Sequence, residues 1–82
     1  MDDPSEILIL EDSAMMRSVY RMVLERPGVR LHFATDGLEG LDVAAVEPGI
    51  DLFIVDVNLP RMDGIEYIRR IRSELGRSEP PI

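Results

Sequence analysis

The sequence of 82 residues contains no cysteine, no lysine and no tryptophan. Without cysteine it can build neither a disulfide framework nor a thiolate metal site, which excludes the disulfide-dense class of secreted module. No apolar run approaches the ~20 residues that span a bilayer, and the acidic start Met1-Asp2-Asp3-Pro4 lacks the basic region of a signal peptide. We therefore expect a soluble, cytoplasmic chain that makes no membrane contact.

The charge balance is acidic, with sixteen carboxylates against nine arginines and a net charge of −7. Nucleic-acid binding depends mainly on clustered Lys and Arg contacts to phosphate, so we expect no direct nucleic-acid contact by this segment. The 45% hydrophobic content excludes wholesale disorder. Because a domain usually needs roughly 100–200 residues, the chain holds one domain at most.

Short apolar runs alternate with helical stretches along the chain. The predicted strands are Glu6–Leu10, Val29–Ala34, which alternates like an edge strand, and Leu52–Val55. The predicted helices are about Ala14 to Glu25 with Asp12 or Ser13 as cap, about Leu38 to Glu47 with Asp36 as cap, and about Ile65 to Leu75 before Gly76. The order βαβαβα predicts an α/β fold with right-handed crossovers between parallel strands.

Apolar residues on the first helix cover an arc of about 200°, wider than the ~100° stripe of a helix that lies on one sheet. This width predicts that the helix is covered from two sides, and the group Met15, Met16 and Met22 is interpreted as core packing. The expected buried residues of the other two helices are Leu38, Leu41 and Ala45, then Ile65, Ile68, Ile71 and Leu75. His32, in the alternating strand, is interpreted as a partly buried or edge side chain.

Three carboxylates stand where strands end. Glu11 and Asp12 directly follow the first strand, and Asp56 follows the third. Polar chemistry in such sheets collects beyond the carboxyl ends of the strands, so neighbouring strands would bring these acids together. Like charges at that distance need a cation, and Mg²⁺ suits oxygen ligands. The simpler interpretation is that each acid only caps a helix or faces solvent.

Four segments in the right order resemble response-regulator receiver domains over about Ile7 to Ile82. They are Glu11-Asp12-Ser13 with Arg17, Ala34-Thr-Asp36-Gly37-Leu-Glu39-Gly-Leu41, Pro48-Gly-Ile-Asp51-Leu, and Asp56-Val-Asn58-Leu-Pro60-Arg-Met62-Asp63-Gly64. The resemblance implies a flavodoxin-like parallel sheet with strand order 2-1-3-4-5. It also implies that Asp56 accepts a phosphoryl group from a sensor histidine kinase or a histidine phosphotransfer protein. Glu11, Asp12, Asp56 and the backbone carbonyl of Asn58 would hold Mg²⁺.

The chain departs from the family pattern because it stops before a fourth strand. Residues 1–82 are therefore expected to be a partial receiver domain, without the Ser or Thr and the Lys that contact the phosphoryl group in the family. A partial domain would leave apolar surface open and is expected to form homo-oligomers or exchange elements. The alternative is a receiver-like association module that is not phosphorylated. The sequence offers no acid or base beyond the metal-site carboxylates for a free-standing enzyme.

Overall fold

The structure, a computed structural model, describes residues 5–56 and 62–73. The elements are β1 (Glu6–Leu10), α1 (Ala14–Leu24), β2 (Arg30–Ala34), α2 (Gly37–Val46), β3 (Leu52–Val55) and α3 (Gly64–Ser73). The three strands form one parallel sheet in the order β2-β1-β3, which confirms the predicted α/β fold. The predicted Leu75 and Gly76 at the end of the third helix lie outside the described residues. Within those residues, no helix has the length and apolar composition needed to cross a membrane.

The strand register assigns the side chains of β1 to two faces of the sheet. Leu8 pairs with His32 and Phe53, while Leu10 pairs with Ala34 and Val55. Side chains alternate along a strand, so Leu8 and Leu10 share one face, and Ile7 and Ile9 lie on the other. All four of these β1 residues are buried, as expected for the central strand of a parallel sheet.

Helices α2 and α3 pack on the face that carries Leu8 and Leu10 and build the main core there. The Tyr67 hydroxyl donates a hydrogen bond to the Gly40 carbonyl oxygen at 3.1 Å, and the Tyr67 and Phe53 rings lie 6.3 Å apart. The buried members of this cluster are Leu8, Leu10, Ala34, Ala44, Ile50, Phe53, Met62, Tyr67 and Ile71. The core is therefore one contiguous cluster on one side of the sheet.

The buried stripe of α2 differs from the prediction. Gly37, Gly40 and Ala44 are buried, whereas the predicted Leu38 and Ala45 are exposed and Leu41 is half-buried at the edge of the core. A Cβ at Gly40 would lie 2.7 Å from Leu10 Cδ2, so the helix approaches the sheet more closely than a larger residue permits. Only the smallest residues of α2 fit against the sheet, because side chains from β1 and α3 already fill the space between this helix and the sheet.

The buried stripe of α3 was also only partly predicted. Ile71 is buried and Ile68 half-buried, but Ile65 is 66% exposed, and Tyr67 takes the central core position instead. Tyr67 can occupy this position because its hydroxyl donates a hydrogen bond to the Gly40 carbonyl oxygen. This hydrogen bond offsets the cost of burying a polar group.

Helix α1 lies on the opposite face of the sheet. The Arg21 guanidinium sits 4.8 Å from the centroid of the Phe33 ring, and Phe33 alternates with the core residue Ala34 along β2. Contrary to the prediction, α1 has no buried residue, and Met15 and Met22 are 73% and 79% exposed. The interpretation of its methionines as core packing was wrong, because no other described element lies against the far side of this helix.

Each of the first two helices begins at a side-chain cap. Ser13, not Asp12, caps α1 and accepts a hydrogen bond from the Met16 N–H at 3.2 Å. Asp36 caps α2, as predicted, and accepts from the Glu39 N–H at 2.9 Å. These caps satisfy backbone donors that the helices leave open, and they fix where each loop after a strand turns into a helix.

Candidate functional site

The three predicted acids meet beyond the carboxyl ends of β1 and β3. Glu11, Asp12 and Asp56 each place a carboxylate oxygen within 4.8 Å of the others. This convergence follows from topology, because β1 and β3 are parallel neighbours and both end at the same edge of the sheet. Glu11 is buried, Asp12 is exposed and Asp56 is half-buried, so the group forms a shallow site open to solvent on one side.

Glu11 is held by contacts from three directions. Its N–H donates to the Ala34 carbonyl oxygen at 3.0 Å, which continues the β1–β2 ladder past the end of the strand. The Arg17 Nη1 donates to the Glu11 carbonyl oxygen at 2.9 Å, and the Ser13 N–H donates to Glu11 Oε2 at 3.3 Å. The first turn of α1 therefore orients both the backbone and the carboxylate of Glu11.

Asp56 is held by the sheet itself. Its N–H donates to the Leu10 carbonyl oxygen at 3.2 Å, one residue beyond the paired strands. The backbone of Asp56 therefore continues the β1–β3 ladder, and its side chain begins at a position that the core strands fix. Asp12, in contrast, is exposed in the short connection between β1 and its helix.

The chemistry of these donors fits a hard divalent cation. Three carboxylates offer only oxygen ligands and up to three negative charges in a small volume, a combination that Mg²⁺ accepts and that zinc sites rarely use alone. The half-exposed geometry also leaves room for the water ligands that Mg²⁺ usually keeps. The predicted fourth ligand, the Asn58 carbonyl, lies outside the described residues, as does Pro60.

Two features of the structure, one at this site and one near the other end of the sheet, were not found from the sequence. The contribution of Arg17 was missed, although its side chain reaches back six residues to bind the Glu11 carbonyl oxygen. A second ligand-like group was also missed, formed by Glu6, His32 and Glu47 near the other end of the sheet. The alternation of β2 does put His32 on the same face as Glu6, but Glu47 joins them only through the packing of α2.

Comparisons with known proteins point to one family of domains. The family model described as "Response regulator receiver domain" matches residues 7–82. The transcriptional regulatory protein CseB of Streptomyces coelicolor is 36% identical over 74 residues, which cover 90% of this chain and 31% of that protein. A protein-glutamate methylesterase/protein-glutamine glutaminase of Geobacter sulfurreducens is 38% identical over 71 residues, covering 83% of this chain and 19% of that protein.

Solved structures show the same likeness in three dimensions. The N-terminal domain of a response regulator receiver protein from Methanoculleus marisnigri superposes with a TM-score of 0.79 at 35% identity, covering 93% of this chain and 62% of that one. The signal receiver domain of a signal transduction histidine kinase from Syntrophus aciditrophicus also gives 0.79, at 32% identity, with 94% and 58% covered.

The matched segment is shared by proteins whose names describe different activities. The chain spans about a third or less of the curated relatives given above, one named as a transcriptional regulator and the other as a methylesterase. What these proteins have in common with this chain is the matched segment of just over 70 residues. The family model, the sequence relatives and the structural neighbours agree, and the chain belongs to the response regulator receiver domain family of two-component signalling.

Proposed function

We propose that Asp56 is the phosphoacceptor of this receiver domain. The observation that supports this role is the meeting of three carboxylates, those of Glu11, Asp12 and Asp56, within 4.8 Å at one edge of the sheet. Asp56 is the member of this group that follows β3, and its half-buried side chain is both positioned by the strand and reachable from outside. The other two acids follow β1 and complete the charged surroundings of the reacting oxygen.

The proposed reaction is a phosphoryl transfer between two proteins. A carboxylate oxygen of Asp56 forms a bond to phosphorus as the bond from phosphorus to a histidine nitrogen of the donor breaks. The product on this chain is an acyl phosphate, and the electron pair of the broken bond stays on the donor imidazole. The donor is a sensor histidine kinase or a histidine phosphotransfer protein.

Most of the catalytic effect in such a transfer comes from positioning and charge neutralisation. Glu11, Asp12 and Asp56 would hold Mg²⁺, with the Asn58 carbonyl as a further ligand. When bound, this ion supplies positive charge that offsets the carboxylates and the phosphoryl oxygens. Arg17 and the Ser13 N–H keep Glu11 in place, so the site needs little rearrangement before the transfer.

The direct test is incubation with a small phosphodonor and Mg²⁺, followed by intact-mass analysis. We expect the wild-type chain to gain the mass of one phosphoryl group, and the variant Asp56→Asn to gain none. The matched control is Asp42→Asn, which removes an exposed carboxylate on α2, and it is expected to gain the group as the wild type does.

The role of the β1 acids can be tested separately. Asp12→Asn removes an exposed ligand without disturbing the core. The phosphorylation rate should therefore fall, and the Mg²⁺ concentration that gives half the maximal rate should rise. A chain that gains no Asp56-dependent mass, while remaining folded by circular dichroism, would contradict the proposed role. It would favour the alternative of an association module that is not phosphorylated.

We propose further that the chain acts in the cytoplasm as the acceptor part of a receiver, and not as a free-standing enzyme. The comparison of lengths supports the proposal of a partial receiver domain, since the chain covers about six tenths of the two solved receiver chains described above. The regulatory output and the cognate kinase belong to the whole protein.

We also propose that the chain self-associates through α1. Met15, Met22 and Val23 are 73%, 79% and 61% exposed on one short helix, and apolar patches of this kind mark association surfaces. Sedimentation at increasing concentration should show a dimer or larger species that Met22→Gln and Val23→Gln together weaken. A monomer at all concentrations would contradict this part of the proposal.

A further inference from the structure

A second group of ligand-type side chains lies near the amino-terminal end of the sheet. Glu6 begins β1, His32 lies inside β2, and Glu47 directly follows α2. One ligand atom of each lies within 4.8 Å of the other two, and all three residues are half-buried. Glu11 follows the other end of β1, five residues from Glu6, so this group is separated from the acid site by about 16 Å at ~3.3 Å per residue.

The imidazole is held in place by a short contact. His32 Nε2 and Glu6 Oε2 lie 2.7 Å apart, and these side chains are only 18% and 17% exposed. The pair joins two neighbouring strands on the face that also carries Leu8 and Ala34. Two of the three ligand atoms are thus already side by side before any ion binds.

The carboxyl end of α2 adds partial negative charge beside Glu6 and His32. Glu47 is the C-cap of this helix, and its N–H donates to the Val43 carbonyl oxygen at 3.0 Å. The carbonyl groups at a helix carboxyl end favour a nearby cation, yet the last turn of α2 contains no basic residue. An ion at Glu47 would therefore supply a positive charge that the sequence of the helix does not.

Gly49 leaves space for the Glu6 carboxylate. A Cβ at Gly49 would lie 2.7 Å from Glu6 Oε1, so a larger residue here would displace the end of this flexible side chain from its observed position. Its backbone does not require glycine, because Gly28 is the only glycine with positive φ among those described in residues 5–56 and 62–73. Glycine at this position therefore allows the Glu6 carboxylate to lie beside the turn after α2.

We propose that Glu6, His32 and Glu47 form a binding site for a divalent transition metal, with Zn²⁺ as the expected ion. One imidazole and two carboxylates are ligands that Zn²⁺ accepts, with water in the remaining position. The imidazole separates this site from the all-oxygen group at Asp56, since Mg²⁺ seldom takes a nitrogen ligand in proteins. On binding, Nε2 gives its lone pair to the metal, and its proton moves to Nδ1 or to solvent.

Such an ion would connect β1, β2 and the end of α2 at a point where the chain has no disulfide to do so. Because a metal that binds only the folded chain stabilises it by mass action, Zn²⁺ should raise the midpoint of thermal unfolding. The site shares no residue with the proposed phosphoacceptor site. The two proposals can therefore fail independently.

The test uses calorimetric titration of the untagged chain with Zn²⁺ in the presence of excess Mg²⁺. We expect one equivalent to bind, and His32→Gln or Glu47→Gln to weaken binding by about a hundredfold, since even outer partners of metal ligands change affinity by ~10–100-fold. Asp12→Asn and Asp56→Asn are the matched controls, and they should leave the Zn²⁺ affinity unchanged.

The single histidine of the chain provides a second measurement. Its ring proton resonances should shift on adding Zn²⁺ in the wild type and in Asp56→Asn, and should shift far less in Glu47→Gln. If His32→Gln unfolds, the Glu47→Gln result and these resonances still decide the question. Unchanged ring resonances with Zn²⁺, or Zn²⁺ binding lost in Asp12→Asn and kept in Glu47→Gln, would overturn the proposal.

Discussion

The two faces of the β-sheet differ in how completely they are covered. On the face of α2 and α3, side chains such as Phe53, Tyr67 and Ile71 are no more than 1% exposed. On the face of α1, the sheet residue Ile9 is buried, but the helix above it has no buried residue. The sheet therefore has a dense core on one face, whereas on the other face the helix leaves its apolar side chains in contact with water.

This difference shows that an apolar helix does not by itself produce a core. Helix α1 carries more large apolar residues than α2, whose buried positions are two glycines and an alanine. The free energy of burial depends on the area removed from water, and that area depends on what lies on both sides of the helix. Three predictions test whether the energetic contrast follows the geometric one, and a fourth concerns a contact outside both faces.

The largest expected effect compares two isoleucines of α3. Ile71 is fully buried and Ile65 is 66% exposed, so Ile71→Ala should lower the free energy of unfolding by about 2–5 kcal/mol. Ile65→Ala should change it by no more than ~0.5 kcal/mol. Chemical denaturation followed by circular dichroism measures both. Equal losses in the two variants would show that burial in this core does not govern stability.

The next comparison uses one methionine from each face. Met62 is 8% exposed beside α2, and Met22 is 79% exposed on α1. We expect Met62→Ala to lower the free energy of unfolding by about 2–3 kcal/mol and Met22→Ala by less than ~0.5 kcal/mol. If Met22→Ala proves as costly when measured at low protein concentration, then α1 is covered in the isolated chain, and the contrast between the faces is wrong.

A smaller effect is expected from the two helix caps. Asp36→Ala removes a buried cap of α2 and should cost about 1–2 kcal/mol, while Ser13→Ala removes the cap of α1 and should cost about 0.5–1 kcal/mol. The difference arises because Asp36 is buried and α2 packs into the core, so fraying of its first turn exposes core residues. Hydrogen exchange of the first-turn amides would show where each variant loses stability. We expect exchange in the first turn of α2 to increase more in Asp36→Ala than exchange in the first turn of α1 increases in Ser13→Ala.

The smallest effect concerns pH and a contact that belongs to neither face. The Ser5 N–H and hydroxyl, followed by the Glu6 N–H, donate to Asp51 Oδ2 and hold the pKa of Asp51 below its usual value. A lowered pKa in the folded state stabilises the protein above the ordinary aspartate pKa of about 3.9, and this contribution is lost as the pH falls through the lowered value.

The matched variant for this contact is Asp51→Asn. It should have slightly lower stability than the wild type near neutral pH and nearly the same stability in acid, below the folded-state pKa. Denaturation midpoints measured across the acid range provide the comparison. A constant difference between the two chains at every pH would show that the ionised carboxylate is not the source of the effect.

Much of the fold and part of the site could be predicted from local patterns. The strand Glu6–Leu10 was predicted with its observed bounds, because a continuous apolar run bounded by polar residues is a strong signal for a central parallel strand. Glu11 and Asp56 could be expected at one edge, because residues that directly follow parallel strands meet there. The phosphoacceptor role of Asp56 and the magnesium ligands remain predictions.

Other features depended on contacts that no local pattern specifies. The choice of Tyr67 over Ile65 for the core depends on the Gly40 carbonyl oxygen, 27 residues away, which accepts a hydrogen bond from the Tyr67 hydroxyl. The spacing of apolar residues along the helix favoured the isoleucines. That spacing contains no information about a hydrogen-bond acceptor on another helix. Arg17 was likewise noticed only as part of a motif, and its contact with Glu11 needed the turn of α1 to be in place.

The sequence by itself determined the order of strands and helices, the Asp36 cap that starts α2, and the acids that follow β1 and β3, because each depends on residues adjacent in the chain. Only the tertiary structure decided which face is filled and that α1 keeps Met22 in water. It also brought Glu6 and His32 to Glu47, since these residues belong to three elements whose relative positions are set by packing. Local periodicity fixes an element, but burial and ligand distances depend on how the elements meet.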